Sequence, residues 1–300
     1  MTKTLIKPAI RIDCFSKSFG VTRAVNSLSF EVFPGEIFGF LGRNGAGKTT
    51  TIRTLLRIYE PDQGNLFLRG LPFTESRAHE VGYLPEERGL YTRASIWDTL
   101  IYMGRLRSVP RDKLLLRTQE YLERFDLWEI RHKKIQNLSS GMQQKVQIIA
   151  TLLHEPPVLI LDEPFRGLDP INRQLVFDIL QEKKSAGACI LFSSHQILEI
   201  EDLCDRVILI AGGESKAYGS VEEVQTSFAP NVIGLRFSGP LPSLGSEFKI
   251  DHKGNRAEIH YSNPEDPKRI LSILLKSEIN LHHFEIKKPS LHSVFLHLCS

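Results

Sequence analysis

The sequence predicts an α/β fold, and three observations predict it. Short, continuous apolar runs of strand length recur through the first two-thirds of the 300 residues, helical patterns alternate with them, and the first run ends in a glycine-rich loop that opens a helix. The runs "EIFGFLG" (36–42), "PVLILDE" (157–163), "ACILFSS" (188–194) and "RVILIAG" (206–212) lack the polar alternation of a half-exposed strand. They suit strands buried on both faces of a parallel sheet. Helices are predicted at 48–58, 141–154 and 171–186.

The remaining elements follow from local pattern. Residues 10–33 and 64–70 alternate apolar and polar, which predicts an antiparallel β layer beside the parallel sheet. Residues 94–136 carry "SIWDTLIYMGRL" and "DKLLLRTQEYLERFDLW", the pattern of an inserted helical subdomain that extends with the next helix over about 94–153. After Gly219 the texture changes to Pro, Gly and Ser punctuation, then to the alternating "RAEIHYS" and the amphipathic "PEDPKRILSILLKS". The expected division is a domain over 1–220 and an accessory domain over 221–300, with a linker near 220–230 and a small α+β fold beyond it.

Composition excludes several classes. A net charge of +3 is too mild to imply nucleic acid as a partner. The four cysteines (Cys14, Cys189, Cys204, Cys299) contain no C-x-x-C pair and read as reduced thiols of a cytoplasmic protein. The start, "MTKTLIKPAIRID", lacks the apolar core of a signal peptide, and no run reaches the ~18 apolar residues of a membrane span. If the chain acts at a membrane, another chain must supply the spanning part. The histidines His282, His283, His292 and His297 lack metal-ligand spacing and read as polar surface.

The chemistry is carried by the strand ends. "GRNGAGKT" (Gly42 to Thr49) matches the phosphate loop G-x-x-x-x-G-K-[ST], between a strand and a helix. Gly42, Asn44, Gly45 and Gly47 turn backbone N–H groups toward phosphate oxygens, and Thr50 follows at the helix N-terminus. Lys48 reaches the β- and γ-phosphates of ATP, and the Thr49 hydroxyl ligates Mg²⁺. The strand "VLILD" ends in Asp162, placed to hold Mg²⁺ through water, and Glu163 follows, placed to polarise the attacking water. Adjacent residues of an extended chain point to opposite sides, which separates the two carboxylates' jobs. His195 lies just past the strand "CILFSS", where ligands gather in open α/β sheets, and is expected to sense the γ-phosphate.

In this order the motifs resemble the ATP-binding subunit of an ABC transporter with a P-loop NTPase core: phosphate loop at 42–49, "LSSGM" at 138–142, "LILDEP" at 159–164, "GLDP" at 167–170 and "SSH" at 193–195. The resemblance covers most of residues 5–220. It implies that two such chains pack head to tail, with Ser139, Ser140 and Gly141 of one closing over the γ-phosphate held by the other; the same stretch reads equally as a helix N-cap. It implies that Phe19 stacks on adenine, although a half-buried strand phenylalanine is the other reading, and that Asp169 couples the two sites. Glu86, in "VGYLPEERGLY", stands where the family pattern has Gln and is a candidate Mg²⁺ ligand. Ser140 and Met142 replace Gly and Gln of the usual signature, and Arg166 replaces a small Ser, where it can pair with phosphate, with a partner's carboxylate, or face solvent.

The tail "KKPSLHSVFLHL" and these departures are more similar to the bacterial export-type subgroup, which includes sodium-export ATP-binding proteins. The resemblance implies an ATPase on the cytoplasmic face of the membrane, peripheral, with a homodimeric second ATP-binding subunit and a multi-span membrane permease that the loop "EERGLYTRAS" contacts. The alternative is a soluble ATPase of the same type acting on the ribosome or DNA.

Overall fold

A computed structural model describes residues 7–87, 89–228, 231–287 and 290–299. The chain divides into two compact units, Met1–Ser220 and Val221–Ser300, each with its own core.

The first unit opens with β1 (Ile10–Phe19) and β2 (Thr22–Val32), followed by the fully buried β3 (Ile37–Gly42), α1 (Lys48–Leu55) and β4 (Gln63–Leu68). Strands β2, β1 and β4 pair in that order as an antiparallel layer, and their inward residues Ile10, Ile12, Phe15, Leu28, Phe30 and Leu66 join Phe38 and Phe40 of β3 in one core. Phe30 stacks on Phe38 at 5.3 Å between ring centroids, which ties the two sheets together.

Next come β5 (Val81–Leu84), α2 (Ile96–Leu106), α3 (Arg111–Arg124) and α4 (Ser140–Leu152). These three helices pack on one another as the helical subdomain. The alternation then resumes with β6 (Val158–Asp162), α5 (Pro170–Ser185), β7 (Cys189–Ser194), α6 (Ile197–Leu203), β8 (Arg206–Ala211) and β9 (Glu214–Ser220). The six-stranded sheet runs β5-β6-β7-β3-β8-β9, parallel except for β9. The apolar runs read from the sequence are its central strands, buried on both faces because helices cover them. Two strands escaped the pattern. β5 is only four residues long, and β9 is the polar antiparallel edge "ESKAYGS", which has no apolar run to reveal it.

The second unit holds α7 (Val221–Phe228), β10 (Asn231–Ser238), β11 (Lys249–Lys253), β12 (Arg256–Tyr261), α8 (Asp266–Leu275), β13 (Asn280–Lys287) and α9 (Leu291–Cys299). Its antiparallel sheet, β11-β12-β10-β13, packs Ile233, Leu235, Phe237, Ala257 and Ile259 against Ile270 and Leu274 of α8. The opposite face is charged: Arg236, Arg256, Glu258, Glu285 and Lys287 alternate with the apolar set. Where a linker is expected near 220–230, residues 221–228 instead form α7. Glu222 and Glu223 favour its first turn, and buried Val224 anchors it. His282 bonds Ser238 Oγ at 2.9 Å, and His283 lies 3.3 Å from Glu285.

Candidate functional site

The sheet order explains why residues far apart in sequence meet. β5, β6, β7 and β3 are neighbours and run parallel, so their carboxyl ends lie side by side at about 4.8 Å spacing. Beyond β5 comes Glu86, β6 ends in Asp162 with Glu163 after it, His195 follows β7, and the phosphate loop follows β3. This is the edge where open α/β sheets bind ligands.

A cavity of about 150 Å³ opens there, lined by Asn44, Gly45, Gly47, Lys48, Thr49, Thr50, Glu86, Asp162 and Glu163. It has the size for phosphate groups rather than for a whole nucleotide. A larger cavity of about 680 Å³ lies on the antiparallel layer by Lys7, Arg11, Phe67 and Arg69, and contains none of the motif residues. The residue set, not the volume, identifies the smaller one.

Within the loop, Gly47 has φ +106°, and a Cβ there would meet the Ala24 carbonyl oxygen at 2.6 Å. No other residue fits that turn without displacing backbone. Lys48 is buried and donates from Nζ to the Gly42 carbonyl at 2.6 Å. Burial lowers its pKa, while the charges of Glu163, Asp162 and Glu86 oppose the shift. The charges of three carboxylates that line the same cavity therefore act on the ammonium. Thr49 Oγ1 donates to Asp162 Oδ2 at 3.0 Å, and Ser193 Oγ donates to Asp162 Oδ1. A hydroxyl and a carboxylate held together are hard oxygen donors, and with Glu86 lining the same cavity the set fits Mg²⁺, whose other ligands are water and phosphate.

Glu163 differs from the extended geometry expected of it. β6 ends at Asp162, and Glu163 takes φ +53°, in the left-handed region. Its N–H donates to the Ser193 carbonyl at 3.2 Å, which holds the turn. Both carboxylates consequently line the same cavity, and their environments rather than strand alternation distinguish them. Asp162 is bonded to two hydroxyls. Glu163 lies 2.8 Å from His195 Nδ1, and burial raises its pKa, with the His195 contact opposing.

Three other sequence-singled groups stand apart from the cavity. Ser139 caps α4, its hydroxyl accepting from the Met142 N–H at 3.3 Å, and Ser139 and Ser140 are exposed. A Cβ on Gly141 would meet the Gly167 carbonyl at 2.8 Å, so glycine is needed where the signature turn abuts the "GLDP" segment. Asp169 caps α5, accepting from the Asn172 N–H at 2.9 Å and from its side-chain amide at 2.6 Å. Phe19 ends β1 and is 45% exposed, edge-on to Tyr59 at 5.2 Å, a position that fits a half-buried strand phenylalanine and leaves part of the ring accessible.

Arg166 faces solvent over much of its side chain, one of the readings open to it, and also has a partner the sequence did not suggest. Its guanidinium donates to Glu86 Oε1 of the same chain at 2.7 Å. Sequence reasoning also missed the residues that hold the site. Ser193 fixes Asp162, and only the polar doublet "SS" closing an apolar strand hinted at it. Gln144 donates to the Pro164 carbonyl at 3.0 Å, and Gln147 to those of Pro85 and Glu87 at 3.3 and 3.1 Å. Helix α4 thereby holds both the turn after β6 and the segment after β5.

The comparisons with known proteins agree with this geometry. The family described as "ABC transporter" matches residues 25–166, and the family described as "ATP-binding protein DrrA1-3-like, C-terminal domain" matches residues 219–299. The uncharacterized ABC transporter ATP-binding protein YhaQ of Bacillus subtilis is 35% identical over 290 residues, 96% of this chain and 97% of that protein. The linearmycin resistance ATP-binding protein LnrL of the same organism is 29% identical over 303 residues, 96% of this chain and 97% of its own. A solved ATP-binding subunit of an ABC transporter superposes with a TM-score of 0.70 at 29% identity, over 73% of this chain and 93% of that one.

Proposed function

The chain belongs to the ATP-binding subunits of ABC transporters and hydrolyses ATP, and from that premise we propose that it is the motor of an exporter, working as a head-to-tail homodimer on a separate multi-span membrane permease. Lys48 and the loop N–H groups hold the β- and γ-phosphates, and Phe19 stacks on the base. Thr49 and Asp162, with Glu86 at the wall, hold Mg²⁺, which neutralises phosphate charge when bound. Glu163 accepts the proton of the attacking water, and His195 orients Glu163 toward it. A carboxylate with a raised pKa is the better base for this.

The observation that carries the dimer reading is the separation of the signature turn from the cavity. Ser139, Ser140 and Gly141 do not line it, and the two serines are exposed at a helix N-terminus with N–H groups and a hydroxyl to offer. An anion site without its own anion in the chain is suited to a partner's γ-phosphate. Asp169, beside that turn through Gly167, is the proposed link between the two sites. The permease reading is supported by a groove of about 280 Å³ lined by Tyr83, Pro85, Leu90, Met103, Leu106 and His154, with Tyr91, Tyr102 and Leu106 exposed around it. It covers part of the loop "EERGLYTRAS", of which Arg88 lies outside the described residues. Among the described residues no helix is long and apolar enough to cross a membrane, and the proposed arrangement has the permease supply the span while this chain docks peripherally on its cytoplasmic face. Export as the direction is supported by the resistance function in the name of LnrL.

Mixing two inactive variants tests the composite site. Ser139→Arg and Lys48→Ala subunits, each inactive alone, should together regain ATPase activity through heterodimers with one intact site. A mixture no more active than either parent defeats the head-to-tail reading.

A further inference from the structure

The cavity is over-supplied with negative charge. Glu86, Asp162 and Glu163 line it, against one lysine, and the ligand proposed for it is a polyanion. Asp162 accepts from two neutral hydroxyls and Glu163 contacts His195, whereas Glu86 has a permanent positive charge beside it. Arg166 supplies it at 2.7 Å. The two residues lie 80 positions apart, on the segment after β5 and on the turn after β6. The Arg166 N–H donates to the Glu163 carbonyl at 3.2 Å, so its backbone is anchored to the turn that carries the proposed base while its side chain reaches Glu86 on the segment after β5.

The pair is a poor stabiliser of the fold. Its side chains are 64% and 44% exposed, and ion pairs so placed contribute little to stability. Its position counts for more than its strength. Two of the four departures in the sequence, Glu for Gln at 86 and Arg for Ser at 166, cancel in charge and touch in space. We propose that Arg166 is a positioning residue that holds the Glu86 carboxylate against the cavity wall and offsets its charge, so that Glu86 and Arg166 together present a neutral rim to the triphosphate. The proposal rests on the reading of this cavity as the triphosphate site.

A double-mutant cycle on the full chain tests it, with ATP affinity measured in EDTA so that no divalent ion masks the repulsion, and thermal melts run on every variant. Arg166→Ser leaves Glu86 bare and should weaken ATP binding about fivefold, the scale of one exposed charge pair. The loss should shrink as salt rises, because screening acts on the unpaired carboxylate. Adding Glu86→Gln to Arg166→Ser should restore affinity to within about twofold, and Arg166→Lys should preserve it to a similar degree. Unchanged affinity in Arg166→Ser, or losses in the two single variants that merely add in the double, overturns the proposal. Lys48→Ala is the control: if it leaves ATP binding intact, the cavity reading itself fails, whereas lost binding in Lys48→Ala with an additive cycle removes Arg166 alone.

Discussion

Glu163 shows how much one backbone angle decides. A non-glycine residue in the left-handed region costs on the order of 1–3 kcal/mol, and here that conformation turns the carboxylate out of the strand, into the cavity and onto His195. Replacing it with glutamine keeps shape and removes the proposed base. Glu163→Gln should lower ATP turnover by about 10²–10⁴-fold while ATP binding persists, read by phosphate release and nucleotide retention; normal turnover would remove Glu163 from the role. The raised pKa also sets a pH expectation. Glu163 must be ionised to accept a proton, so the acid limb of the turnover profile should lie above the ordinary glutamate value of about 4.3. A limb at or below that value argues for a different base.

His154, outside the catalytic edge, provides a cleaner pH test. Burial lowers its pKa to about 4, with the charges of Arg107, His79 and Arg117 adding to the shift and a bond to the Val81 carbonyl opposing it. The unfolded histidine titrates near 6.5, so as pH falls the unfolded chain takes up the proton first. Stability from this residue is full above about 6.5 and is lost progressively down to about 4, on the order of 3 kcal/mol in all. His154→Gln should remove that slope, and urea midpoints compared between pH 7.5 and 5 decide it. Equal slopes in both proteins would mean that His154 is not held neutral.

At the scale of elements, helix α4 has two ends with different tasks. Its interior holds the site through Gln144 and Gln147, whose amides reach the segments after β6 and β5. Its N-terminus is capped by Ser139. Capping and contact with a partner's phosphate use the same hydroxyl, and substitution separates them. Ser139→Ala should cost about 1 kcal/mol of stability through the lost cap. Ser139→Asp caps as well as serine does, yet places a carboxylate where a γ-phosphate is proposed to dock. That variant should melt like the parent and lose ATP-driven dimerisation, measured by light scattering. Retained dimerisation would reduce the signature turn to a helix cap.

For the whole molecule, the two units have separate cores. One joins the antiparallel layer to β3, α1 and the parallel strands, and the other closes a four-stranded sheet with α8. All the residues of the cavity and the signature turn belong to the first. A chain ending at Ser220 should therefore fold cooperatively and bind ATP with near-parental affinity, checked by a thermal melt and nucleotide titration. A truncated chain that melts without cooperativity would show that Val221–Ser300 completes the first core.

The legible part of this protein was local. The phosphate loop, the buried strands and α5 could be read because glycine spacing, continuous apolar runs and helical period are properties of neighbouring residues. Edge strand β9 and helix α7 could not, because their residues are mostly polar and their conformation is settled by what they pair with or pack on. The candidate site divides in the same way. Sequence alone singled out Lys48, Thr49, Asp162, Glu163 and His195, which the fold brings to one edge of the sheet. Only the tertiary structure decided how they are held. It put Glu163 in a left-handed turn, set Ser193 beneath Asp162 and brought Arg166 to Glu86 across 80 residues. Strand order is a choice among distant pairings, and no local pattern encodes which strand ends will be neighbours.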